Sequence, residues 1–142
     1  MEIGFIYAIG AAVTWGLVYT IDQKVLFSVS PITLLFIDSI ITAIIMLPFI
    51  FFGNSSIKNV LVSGKLNLSL IITSIILAII ANFLIFSGIK ILDASTASII
   101  EIAYPFFVVL FSYVFFKSHP NIYFFIGGIL IFVGSIIIMK FA

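Results

Sequence analysis

The chain contains no cysteine and no arginine, and its one histidine, His119, stands between Ser118 and Pro120. These absences exclude a disulfide framework, a thiolate zinc site and a bidentate guanidinium clamp on phosphate. Charge is scarce as well: Asp, Glu, Lys and Arg make up 8% of the 142 residues, against about 25% in soluble domains. The formal net charge of +1 leaves no basic footprint for nucleic acid. The sequence pairs no nucleophile with a base and clusters no metal ligands, so neither an enzyme nor a metal or cofactor protein is expected. Abundance lies elsewhere, in a hydrophobic content of 64% and a mean hydropathy of +1.47. That balance belongs to an integral membrane protein.

A helix that crosses a hydrocarbon core of about 30 Å needs roughly 20 apolar residues. Stretches of that length run over Ile3 to Ile21, Ile32 to Phe52, Leu68 to Ile89, Ala94 to Phe116 and Ile122 to Met139. The first has no basic flank and runs into Trp15-Gly16 and Tyr19 instead of a small-residue cleavage site, so it reads as a span and not as a signal peptide. Ser30-Pro31 and Asp93 are placed to cap the second and fourth helices, satisfying amides that lipid cannot. Gly53 to Asn67 is the one long polar connection. The other connections are short enough to make antiparallel hairpins. The expected fold is therefore all-α: a single membrane domain over residues 1–142 with five transmembrane helices.

Five crossings place Lys58, Lys65 and Lys117 on the side of the N-terminus (side A) and Lys24, Lys90 and Lys140 on the opposite side (side B). Orientation follows the Lys/Arg excess on the cytoplasmic side, and a balanced chain has no excess to follow. Insertion in both orientations is the expectation. An odd number of spans then allows two copies to pair upside down, which reproduces the inverted-repeat architecture of many secondary transporters from one half-sized chain.

Two acidic residues fall inside spans, Asp38 and Glu101. At a rise of about 1.5 Å per residue, Asp38 and Trp15 lie roughly 9 Å below side B, and Glu101 and Asn82 roughly 10 Å below it. Four helices thus bring their most distinctive side chain to one depth. Intramembrane charges are costly and usually face a cavity or a partner. A carboxyl at the depth of Glu101 favours its neutral form until a cation or a water-filled cavity stabilises the charge, which suits a proton carrier or a cation counter-ion. A carboxyl that only hydrogen-bonds between helices is the plainer alternative. Trp15 and Tyr104 offer aromatic faces for an organic cation or a ring. Ala94, Ala97, Ser98, Glu101, Tyr104, Val108 and Ser112 follow one another at helical spacing, as do Ala8, Ala12, Trp15 and Tyr19. Such small residues also serve plain helix packing. Pro105 removes the amide that would bond the Glu101 carbonyl and should bend the helix there. Gly127 and Gly134, two turns apart in the last helix, permit close approach of a second backbone, either from another copy or from the same subunit.

Ala11-Ala12-Val13-Thr14-Trp15-Gly16, Ser30-Pro31, Leu92-Asp93-Ala94-Ser95-Thr96-Ala97-Ser98 leading to Pro105-Phe106-Phe107, and Gly127-Gly128 through Gly134 occur in this order over five spans. Together they resemble one EamA repeat of the drug/metabolite transporter superfamily, over nearly the whole chain. The resemblance implies export of amino acids, other metabolites or drugs. Typical members carry two such repeats, whereas this chain is similar to one. Small multidrug resistance proteins, with four spans, work as antiparallel dimers and use glycines seven apart in their last helix, which Gly127 and Gly134 resemble. Their essential glutamate lies in the first helix, and here that helix has no acid within the membrane. Proton coupling by this chain would therefore have to use Glu101 or Asp38. Many members also carry a basic residue about where Asp38 stands and a glutamate near Lys117 to His119. This sequence has neither.

The leading expectation is a secondary transporter in a prokaryotic cell membrane, working as an antiparallel homodimer among membrane lipids. Its small-molecule cavity, with possible proton coupling, would be lined by Trp15, Asp38, Asn82, Glu101 and Tyr104, with Gly127 and Gly134 at the dimer contact. A non-transporting or heterodimeric membrane subunit and a component of a lipid-linked carrier flippase are the alternatives. Lysines introduced at Asn54 and Ser55 will hold side A in the cytoplasm and reduce function, and a copy locked the other way will restore it. A wild-type chain inserted in one orientation only contradicts dual topology.

Overall fold

The computed structural model describes residues 2–52, 60, 62, 64–119 and 121–141. Most of the polar connection expected after the second span, including Asn54 and Ser55, lies outside these residues, as does Pro120. Among the described residues the secondary structure is helical and contains no strand. The helices are α1 (Glu2–Leu26), α2 (Pro31–Phe52), α3 (Lys65–Ile91), α4 (Ala94–Glu101), α5 (Tyr104–Phe116) and α6 (Ile122–Phe141). With 25, 22, 27 and 20 residues, α1, α2, α3 and α6 each have the length of a span. Among the described residues four stretches are long and apolar enough to cross a membrane, in α2, α3, α4 with α5 (Ala94–Phe116) and α6, and α1 has the length of a fifth.

Local chemistry sets the helix ends. Pro31 opens α2, where its missing amide costs nothing. The Ser30 hydroxyl accepts from the Thr33 amide at 3.1 Å, and the Ser30 carbonyl accepts from Leu34 at 3.0 Å. Asp93 caps α4 with both carboxylate oxygens, one accepting from the Thr96 amide and the other from the Thr96 hydroxyl, each at 2.8 Å. These bonds hold the Asp93 carboxyl below the usual carboxylate range, so it stays ionised. At the far end of α5, Lys117 takes the left-handed conformation (φ 53°) and donates to Tyr113 at 3.1 Å, closing the last turn.

The chain forms two compact units. The first unites residues up to Val25 with those from Gly88 onward, and the second spans Leu26–Ser87. In the first unit, the last turn of α1 docks on the start of α4 through Gln23, whose side-chain oxygen accepts from the Ala94 amide at 2.9 Å. Ala94 and Ala97 are buried, and a Cβ added at Gly88 would lie 3.7 Å from that of Ala97. Helix α6 packs on both α4 and α5. Its contact face is Gly128 and Ser135. A Cβ at Gly128 would meet the Phe106 ring at 3.4 Å, and the Phe106 ring stacks on Phe132 at 6.0 Å. An added Cβ at Gly127 or Gly134, one position around the helix, meets nothing within 4 Å. In the second unit, Leu35 and Phe86 are buried.

Outside these contacts the helices present apolar side chains outward. Leu77 is 60% exposed, Phe49 66% and Leu130 67%. Water would penalise such a surface by about 25 cal/mol per Å², whereas lipid does not. The exposure therefore fits the bilayer reading of the composition.

Candidate functional site

The fourth span breaks at the residue singled out by its charge. Helix α4 ends at Glu101, and α5 begins at Tyr104. Between them the ladder tightens: Ile102 still donates four residues back, to Ser98 at 2.9 Å, but Ala103 donates to Ile100 at 3.2 Å, three residues back. Pro105, near the start of α5, has no amide to continue the pattern. The bend anticipated from Pro105 is thus a two-residue tightening, in which Ile102 and Ala103 keep right-handed helical angles, with α5 restarting through a bond from Phe106 to Ala103 at 3.1 Å.

Four more side chains of the first unit stand near this break. The Tyr19 phenol stands near the Glu101 carboxyl, and Tyr104 and Asp22 stand near the same phenol. Trp15, one turn before Tyr19, places its ring 5.5 Å from the Tyr19 ring at an angle of 46°. Glu101 is half-buried, while Trp15 is 50% and Tyr104 60% exposed. The aromatic faces therefore remain open to a ligand or a partner. Neighbouring hydroxyls are already engaged, Thr14 on the Gly10 carbonyl and Thr20 on that of Gly16, each at 2.8 Å. The lysines of this unit, Lys24, Lys90, Lys117 and Lys140, all stand at or next to helix ends.

The remaining expected site residues belong to the second unit: Asp38 is exposed on α2, and Asn82 is half-buried on α3. Gly127 and Gly134 stand on the open face of α6. Tyr19 is the partner that sequence reasoning placed in a stripe without assigning it a role. Its signal is the helical spacing, since it lies one turn beyond Trp15 on the face that the stripe defines. Gln23 and Ser135 carried no signal of that kind. Among the described residues no three His, Asp or Glu side chains gather as a metal set would require.

A family model described as the EamA-like transporter family matches residues 2–140. No curated protein and no solved structure matches the chain.

The Tyr19–Glu101 pair predicts a measurable coupling. In a double-mutant cycle of Tyr19→Phe and Glu101→Ala, followed by unfolding in detergent, the two changes should fall short of additivity by about 1 kcal/mol. Strict additivity would show that the two side chains do not interact.

Proposed function

The chain belongs to the EamA-like transporter family, and from that premise we propose that it is a secondary exporter of small metabolites or drug-like compounds that works as an antiparallel, dual-topology homodimer. Family membership makes it an integral membrane protein of a transporter family. The observation that carries the finer reading is the Glu101 carboxyl, set where the ladder of the fourth span tightens and close to the Tyr19 phenol. An acid placed in this way, in a protein with few charges, suits a group that is loaded and unloaded during each cycle.

Three features support the antiparallel dimer. The lysines balance between the two sides, the number of spans is odd, and α6 leaves the Gly127 and Gly134 positions open while using Gly128 and Ser135 inside the protomer. Close approach of a second α6 needs such an open small-residue face. In the dimer, Trp15, Glu101 and Tyr104 of each copy would line the transport cavity. Access would alternate as the two oppositely oriented copies exchange roles.

Purified protein in liposomes that contain the pH dye pyranine tests the proposal, with amino acids and ethidium as external probes against an imposed proton gradient. Wild-type protein should couple at least one probe to proton movement. Glu101→Gln keeps shape and hydrogen bonding but not titration, so the coupled flux should fall by about a hundredfold, while Asp38→Asn should retain it. An unchanged flux and pH profile in Glu101→Gln would contradict the role given to this carboxyl.

A further inference from the structure

The far end of α5 carries a cleft of about 350 Å³, lined by Tyr113, Val114, Lys117 and His119. Its shape follows from the way the helix ends. Lys117 takes the left-handed conformation, and its amide and that of Ser118 both reach back to the Ser112 carbonyl. The chain is thereby turned back on the last turn of α5. His119 comes to rest with its ring 6.4 Å from that of Tyr113, at an angle of 67°. A left-handed backbone is strained for lysine and easy for glycine, so the turn alone does not require an ammonium group. A lysine at a helix C-terminus also answers the helix dipole, but that role needs neither a cleft nor a second donor beside it.

The cleft offers three donors: the Lys117 ammonium, the His119 ring and the Tyr113 hydroxyl. Among the described residues no carboxylate lines it. Such a lining is complementary to an anion with several acceptor oxygens, and a phosphate group has that form. Its place in the fold selects the source. The apolar span Ala94–Phe116 ends one residue before Lys117, which sets the cleft at the headgroup level of the bilayer. Phe111 lies one turn from Val114 and stacks on Phe115 at 6.0 Å, with both rings exposed. We propose that the cleft binds the phosphate of an anionic membrane phospholipid. Lys117 pairs with the phosphate, His119 and Tyr113 donate to its oxygens, and an acyl chain lies along Phe111 and Phe115. A soluble phosphate would meet the same donors but would gain nothing from the two phenylalanines. The inference needs the membrane placement of the chain and not its transport activity, so a failed transport assay leaves it standing.

Native mass spectrometry of the full chain in detergent tests this with three probes: dioleoylphosphatidylglycerol, dioleoylphosphatidylcholine and water-soluble glycerol phosphate. Wild-type protein should bind phosphatidylglycerol about fivefold or more tighter than phosphatidylcholine, and glycerol phosphate far more weakly than either lipid. Lys117→Gly removes the ammonium and suits the left-handed backbone. It should therefore keep or raise the melting temperature while losing about fivefold in affinity for phosphatidylglycerol, and Lys117→Arg should restore the affinity. His119→Phe keeps a ring against Tyr113 without its N–H donor and should also weaken binding. Lys140→Gln removes the same charge at the end of α6 and should leave binding unchanged. Equal affinity for the two lipids, unchanged binding in Lys117→Gly or His119→Phe, or an equal loss in Lys140→Gln would each overturn the site. Glycerol phosphate bound as tightly as phosphatidylglycerol would overturn the lipid as its ligand.

Discussion

Inside a bilayer a backbone amide or carbonyl has no water to fall back on, so every span must pair its own polar groups or find a partner in the protein. Most of this chain meets that demand through unbroken helices. The fourth span does not, because Pro105 removes one donor and Ala103 turns to Ile100, while the Ile99 carbonyl accepts a bond from α6. Irregular backbone is tolerated at membrane depth where it is buried in protein or lines a cavity, and here it coincides with the one acidic residue of the fourth span, Glu101.

The parts of the fold that could be read from sequence are those governed by local chemistry. Spans follow from runs of about 20 apolar residues. Ser30 and Asp93 act as caps because their side chains reach amides three residues on, a distance fixed by the helix itself. Pro105 announced a disturbance for the same reason. The EamA resemblance, drawn from short segments in order, agrees with the family match over residues 2–140.

What escaped the sequence is everything that depends on how helices are rotated against one another. Tyr19 and Glu101 are far apart in the chain, and nothing in either helix alone states that they stand near each other. Gly127 with Gly134 and Gly128 with Ser135 are both pairs seven residues apart, so spacing alone does not tell the inner face from the open one. The packing of Phe106 on Gly128 does. Ser135 is a small residue among small residues, and only the position of the Ile99 carbonyl gives its hydroxyl a meaning.

A transporter built from so few charges has to concentrate its chemistry where the backbone is already disturbed, and the central claim is that the fourth span loses its regular ladder at Glu101. Residue-resolved amide exchange in lipid nanodiscs measures this most directly. The account predicts that Ala103 and Tyr104 exchange about tenfold faster or more than Leu77 and Ala78 in the middle of α3, since their amides lie outside a regular ladder near a polar group. Protection of Ala103 and Tyr104 equal to that of α3 would mean a continuous helix through Glu101, and would contradict it.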